Sequence, residues 1–261
     1  MPEALRLAYE EGGEGLPVLL LHGFPLHRDI FAPVLPAASQ LARVVALDLP
    51  GFGASPLPAE GFSMQSLARE VLAFARGKGF RRFALVGHSM GGYVALEVAS
   101  QAPESLAGLV LLASHPRADT PEARARRAEG VALIRRGLRQ EFLAGFLSRL
   151  LSRWSQQNAP RLAAELAAMA QAVPDEVLVG CLKAMAARAD HTVTLTRLQV
   201  PVLVLIGEED ALIPRELAES AAQAAIRGEL VVIPEAGHVP TMEKPIATAE
   251  ALARFLRALE R

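Results

Sequence analysis

Phe83-Ala84-Leu85-Val86-Gly87-His88-Ser89-Met90-Gly91-Gly92-Tyr93-Val94-Ala95-Leu96 is the stretch on which the reading of this chain turns. Its first four residues form an apolar run too short for a helix, and from Gly92 to Gln101 the apolar spacing becomes helical. Gly-x-Ser-x-Gly occupies residues 87–91, between the two. A strand that turns directly into a helix holds its corner residue in a strained conformation and crowds the residues beside it. Glycines at 87 and 91 remove the side chains that would clash. Ser89 then projects its hydroxyl from the carboxyl edge of a sheet, where a helix N-terminus favours developing negative charge. This context matches a nucleophile elbow. An N-cap serine in a tight turn is the plainer alternative. A phosphate-binding loop fits worse, because no Gly-Lys-Ser/Thr follows.

Outward from this stretch, short apolar runs recur at Val18–Leu21, Val44–Leu47, Leu109–Leu112, Val202–Ile206 and Leu230–Ile233. Continuous runs of this length suit parallel strands buried on both faces. Helix-period stretches at Ser63–Arg76, Arg215–Ile226 and Ile246–Leu259 lie among or after them. The alternation predicts an α/β fold with a mostly parallel central sheet and right-handed crossovers. Leu5–Tyr9 is a candidate edge strand.

From about His115 to Thr196 the strands stop. The text there is helical and rich in Ala, Leu and Arg, and Pro121, Gly137, Pro160 and Pro174 divide it into four helices. Pro121-Glu122 and Pro174-Asp175-Glu176 read as helix starts, with acids at the positive dipole end. Strand-helix text resumes at Val200. The expected organisation is a core domain of residues 1–114 and 197–261, interrupted by a helical insertion over 115–196.

A serine hydroxyl needs an adjacent base to act as a nucleophile. His238, in Pro234-Glu235-Ala236-Gly237-His238-Val239-Pro240, lies between the last strand and the last helix, on the same carboxyl side as Ser89. His22, His88, His115 and His191 lie in strand-end motifs or flank the insertion. The base in turn needs an acid to fix its tautomer and stabilise the imidazolium. Gly207-Glu208-Glu209-Asp210 comes after the strand Val202–Ile206 and offers Asp210, with Glu208 and Glu209 as competitors nearer the strand end. The oxyanion donors expected are the backbone N–H groups of Met90 and of Phe24, the latter in Leu21-His22-Gly23-Phe24-Pro25. His22 and Gly23 read as loop-shaping residues.

Bulk properties exclude several classes. A formal net charge of −1, with no basic stripe, does not support nucleic-acid binding. Cys181 is the only cysteine, so neither an intramolecular disulfide nor a thiolate metal site is expected. No run approaches the ~18 apolar residues of a membrane span, and Met1-Pro2-Glu3-Ala4 has no signal-peptide character. A soluble cytoplasmic protein is the expectation. Nothing in the sequence sets an oligomeric state.

Taken together, His22-Gly23-Phe24-Pro25, Asp48-Leu49-Pro50-Gly51-Phe52-Gly53-Ala54-Ser55, Gly87–Gly92, Gly207–Asp210 and Gly237-His238 resemble the α/β-hydrolase superfamily along nearly the whole chain. The nearest likeness is to capped esterases and 3-oxoadipate enol-lactone hydrolase-like proteins. The chain order Ser89, Asp210, His238 is the order of that superfamily. The resemblance implies a helical cap that covers the nucleophile and shapes an acyl pocket, and a structural turn over Asp48 to Ser55. Enol-lactone hydrolases often carry an Arg-Trp-Phe element near the substrate; Arg153-Trp154-Ser155 matches it in part and departs at Ser155. Trp154 is therefore a candidate pocket residue, with a place in the cap core as the alternative, and Val239 beside His238 is a second candidate. Ser at 89 argues against dehalogenase and epoxide-hydrolase relatives, which use a carboxylate nucleophile.

The expected activity is hydrolysis of small esters or lactones through an acyl-enzyme, with no metal or organic cofactor. Alternatives are a cofactor-free perhydrolase or acyltransferase, a C–C bond hydrolase, and a ligand-binding module on a hydrolase scaffold.

Overall fold

A computed structural model describes residues 6–259 of the 261-residue chain. Seven strands, β1 (Tyr9–Gly12), β2 (Pro17–Leu21), β3 (Arg43–Leu47), β4 (Phe83–His88), β5 (Leu106–Leu112), β6 (Val202–Gly207) and β7 (Gly228–Ile233), form one sheet. Their spatial order is β1-β3-β2-β4-β5-β6-β7. Only β1 runs antiparallel, against β3; every other pairing is parallel. The edge strand expected over Leu5–Tyr9 instead starts at Tyr9 and runs to Gly12, pairing Tyr9 with Leu47. Leu5 lies outside the described residues.

The continuous apolar runs become strands because the central strands are covered on both faces. Leu19, Leu21, Val45, Leu47, Leu85, Leu109, Leu111 and Val204 enter one apolar cluster, with the helices Met64–Gly77 and Met90–Gln101. The residues between them, Val18, Leu20, Val44, Ala46, Val86, Val110 and Leu203, enter the other, with the helix Pro245–Leu259. Side chains alternate across a strand with period two, so no position in the central strands meets water. The runs are therefore uniformly hydrophobic although each residue serves one face.

Between β5 and β6 lie six helices: Pro121–Arg135, Arg139–Leu147, Arg153–Asn158, Pro160–Ala172, Asp175–Ala186 and Thr192–Arg197. Four were expected. Helices do begin at Pro121, capped by the Thr120 hydroxyl on Ala123 N–H, and at Asp175 after Pro174. The extra starts come from side chains that carry no proline or glycine signal. Ser152 accepts from Ser155 N–H to begin one helix, and Asp190 accepts from Thr192 N–H (2.8 Å) at the start of another.

The parallel register brings the ends of β2, β4, β6 and β7 to one edge of the sheet. The segments leaving that edge carry Phe24, Ser89, Asp210 and His238.

Candidate active site

β4 ends at His88 and the next helix begins at Met90, so a single residue makes the turn. That residue, Ser89, has φ 50° and ψ −113°. A non-glycine residue in such a region carries strain of about 1–3 kcal/mol and persists only where its surroundings hold it. Three bonds do so here: Ser89 N–H donates to Leu112 O (2.9 Å), and Ser89 O accepts from Gly92 N–H (2.9 Å) and from the Ser114 hydroxyl (2.9 Å). The flanking glycines are required by space. A Cβ at Gly87 would stand 2.5 Å from Gly92 Cα, and one at Gly91 would stand 2.1 Å from Leu21 O.

His238 and Asp210 meet in the next loops along the same edge. Asp210 Oδ2 and Oδ1 lie 2.8 and 3.0 Å from His238 Nδ1, and both side chains are 1% exposed. Asp210 Oδ1 also accepts from Leu212 N–H (2.8 Å) and Ile213 N–H (3.0 Å). Burial by itself would raise the Asp210 carboxyl. The charge and hydrogen bond of His238, with the two N–H donors, outweigh it and hold the group below the usual carboxylate range. An ionised acceptor at Nδ1 fixes the tautomer with the proton there and leaves Nε2 as the free base. Nε2 is buried and makes no hydrogen bond to the described residues. The two competitors face elsewhere: Glu209 accepts from Arg153 N–H (2.9 Å) and Glu208 from Glu235 N–H (3.2 Å).

Ser89, His238 and Phe24 all line one cavity of about 650 Å³. Its remaining wall comes largely from the helices between β5 and β6, through Leu133, Phe142, Phe146, Leu182 and Met185. Phe24 N–H donates to no acceptor among the described residues, and Met90 N–H stands at the first helical position, where no intrahelical acceptor exists. A Cβ at residue 23 would lie 2.9 Å from the Ser89 Cβ, so glycine there lets the Phe24 loop approach Ser89.

Two predicted pocket residues lie elsewhere. Trp154 is 49% exposed, in a separate recess with Met242 and Glu243, and Lys244 Nζ sits 5.0 Å above its ring. Its helix is polar, and the face it turns outward puts the indole away from Ser89. Val239 is fully buried in the apolar cluster of the opposite sheet face.

Histidines beside the site act through the backbone. His22 Nε2 accepts from Leu49 N–H (2.9 Å), so Nδ1 carries the proton and donates to Gly23 O (3.0 Å). Burial pushes its pKa down to about 4. It ties the Phe24 loop to the Asp48 turn, whose carboxylate accepts from Arg28 N–H (3.0 Å), Ala54 N–H (3.0 Å) and the Arg28 guanidinium. The loop-shaping reading of His22 has this concrete form.

Sequence reading missed two positioning groups. His88 is driven down to about 3 by burial, stays neutral, and donates from Nε2 to the His238 carbonyl (2.7 Å). Glu243, buried, accepts from Gly237 N–H (2.8 Å), Val239 N–H (3.4 Å) and Ser152 N–H (2.8 Å). One carboxylate thus joins the His238 loop to the start of the helix at Arg153. Neither role has a local signal, since His88 and His238 are 150 residues apart.

Among the described residues no group of three or more His, Cys, Asp or Glu could hold a metal ion, and no helix is long and apolar enough to cross a membrane.

Comparison with known proteins agrees with this architecture. The family model for the alpha/beta hydrolase fold matches residues 17–245. A pimeloyl-[acyl-carrier protein] methyl ester esterase from Sodalis glossinidius is 31% identical over 91% of this chain and 92% of its own length. The dihydrolipoyllysine-residue acetyltransferase component of an acetoin cleaving system from Pseudomonas putida is also 31% identical over 95% of this chain, which spans 66% of that longer protein. Among solved structures, a thermophilic esterase from Thermogutta terrifontis with malate bound superposes with a TM-score of 0.92 at 35% identity, covering 98% of this chain and 94% of the other.

Proposed function

Because the chain belongs to the α/β-hydrolase fold family, we propose that it is a serine hydrolase that cleaves esters or lactones of small molecules through an acyl-enzyme. The observation that carries this reading is the buried Asp210–His238 pair opening onto the same cavity as Ser89, with Ser89 at the strained turn. The esterase relatives support the bond class.

In this mechanism His238 Nε2 takes the proton of the Ser89 hydroxyl as its oxygen attacks the carbonyl carbon. The Phe24 and Met90 N–H groups hold the oxyanion, a contribution that in other enzymes is worth about 10²–10³ in rate per donor. The tetrahedral intermediate collapses, and the imidazolium gives its proton to the departing alkoxide, leaving an acyl ester on Ser89. Water then attacks that ester with His238 again as base, and the acid leaves as Ser89 recovers its proton. Asp210 stays ionised throughout. The helices of residues 115–196 act as a cap that excludes water and supplies the apolar wall against the acyl chain.

The test is release of nitrophenol from a short-chain nitrophenyl ester. Ser89→Ala is expected to abolish turnover while leaving the folded state intact by circular dichroism. Full activity in that variant sinks the assignment.

A further inference from the structure

The cavity is apolar where Phe142, Phe146 and Leu133 line it, but its charges do not cancel: five arginines and three carboxylates contribute to the wall. Most are exposed and hydrated. Three are not, and they form one unit. Arg188 and Asp119 are each 3% exposed and joined by an ion pair, and Arg127, 19% exposed, donates from Nε to the other Asp119 oxygen at 2.6 Å. Two guanidinium groups thus share one carboxylate.

Asp119 is ionised. Burial would raise its carboxyl, but the Arg127 hydrogen bond and the charges of Arg127 and Arg188 hold it low. The unit therefore carries one uncompensated positive charge, with Arg188 withdrawn from bulk water and Arg127 partly exposed, and an anion entering the cavity would offset it. His115, also at the wall, adds no further positive charge, since burial and the nearby Arg188 press it down to about 4 and keep it neutral.

Arg188 is held in place. Nε donates to Arg117 O (3.1 Å) and Nη1 to Met185 O (3.0 Å), and the guanidinium lies 3.9 Å above the Tyr93 ring. Its Nη2 makes no hydrogen bond to the described residues and no bond to Asp119. Tyr93 belongs to the helix that follows Ser89, and Ser89, Tyr93 and Arg188 all line the same cavity.

We propose that this cavity selects esters whose end remote from the scissile bond carries a carboxylate, received by Arg188 with Arg127 behind it. The proposal rests on the ester-hydrolase reading above and adds the substrate class. A planar guanidinium with a free N–H suits a carboxylate better than an ammonium would, and the apolar side chains of the same cavity, Leu133, Phe142 and Phe146, suit a methylene chain.

The experiment compares kcat/KM for monoethyl adipate, monoethyl suberate and 6-acetoxyhexanoate with their uncharged counterparts, diethyl adipate, diethyl suberate and ethyl 6-acetoxyhexanoate, at pH 8. At least one charged ester is expected to exceed its counterpart by 10-fold or more. Arg188→Gln should remove that preference, lowering kcat/KM for the charged esters at least 10-fold more than for the neutral ones. A merely structural Arg188 would lower both alike, and that outcome overturns the proposal. Should Arg188→Gln fail to fold, inhibition of the wild-type enzyme decides: adipate should inhibit neutral-ester turnover at least 10-fold more tightly than hexanoate. Equal inhibition, or a wild type that prefers every neutral ester, overturns the carboxylate site while leaving ester hydrolysis standing. Turnover of none of the six esters together with no nitrophenol release would count against the ester-hydrolase reading itself; where nitrophenol is released, adipate inhibition of that release tests the site alone.

Discussion

The Asp210 carboxylate makes four close contacts, with both oxygens facing one imidazole edge and two backbone donors. Its value to catalysis lies in keeping the proton on His238 Nδ1. An amide in its place can present an N–H to Nδ1 and favour the wrong tautomer, which in a comparable triad lowers kcat by about 10⁴. Asp210→Asn is therefore expected to lower kcat by about 10³–10⁴ with KM little changed, measured by steady-state kinetics on a nitrophenyl ester. Glu209→Gln, which disturbs only contacts with Arg153, its N–H and its exposed guanidinium (3.9 Å), should stay within about 3-fold of wild type. The reverse pattern would show the wrong carboxylate has been chosen. The meeting of Asp210 with His238 was readable in the sequence because each lies in a loop after a strand, and parallel strands deliver such loops to one edge. Trp154 shows the opposite case: it lies in a segment without strand order, and the direction of its indole depends on helix packing that no local pattern encodes.

The segments around the site are fastened to one another by single buried groups, and these connections are what sequence reading could not supply. Glu243 lies in the short helix Pro240–Glu243, and its carboxylate collects N–H groups from residues 6 and 91 positions away. His238 N–H in turn donates to Leu150 O (2.8 Å). The loop carrying the base is thus held by the same stretch that opens the third helix after β5. Removing an acceptor from buried donors costs about 1–3 kcal/mol for each group left unpaired. Glu243→Ala is expected to lower the unfolding free energy by about 3 kcal/mol or more in urea titration. It should also reduce kcat beyond the effect on KM, because the loop that carries His238 loses its anchor. Glu243→Gln, which keeps one acceptor oxygen, should recover part of both. Equal stability in the alanine variant would remove Glu243 from the positioning role. By contrast the strands themselves were legible from runs of Val, Leu and Ala, since burial on two faces leaves an unbroken apolar text. The helix count between β5 and β6 was not, because Ser152 and Asp190 start helices by hydrogen bonds rather than by proline or glycine.

Three buried imidazoles give the fold as a whole a definite response to acid. His22, His88 and His115 are each held well below the ordinary histidine value, at about 4, 3 and 4, with burial the leading cause. In the unfolded chain the same residues titrate near pKa ~6.5. Between those limits the unfolded state binds protons that the native state refuses, so stability rises with pH in this window and is lost as pH falls. Above pH ~6.5 both states leave the three rings neutral and the contribution is flat. Each histidine contributes a slope of about 1.4 kcal/mol per pH unit once well below pH 6.5, so the three together approach about 4 kcal/mol per unit until pH nears 4. The carboxylates of Asp119, held low by Arg127 and Arg188, and of Asp210, held low by His238 and two backbone donors, add a second loss only as pH falls below their ordinary range near 4. Urea unfolding at pH 8, 6.5, 5.5 and 4.5 should therefore give nearly equal free energies at the first two values and a steep fall across the last two. His88→Gln, which keeps a side-chain N–H able to reach the His238 carbonyl, should remove about a third of that slope whatever it does to stability at pH 8. A slope unchanged by this substitution would mean that His88 is protonated in the native state after all, and the neutral donor to His238 would have to be abandoned.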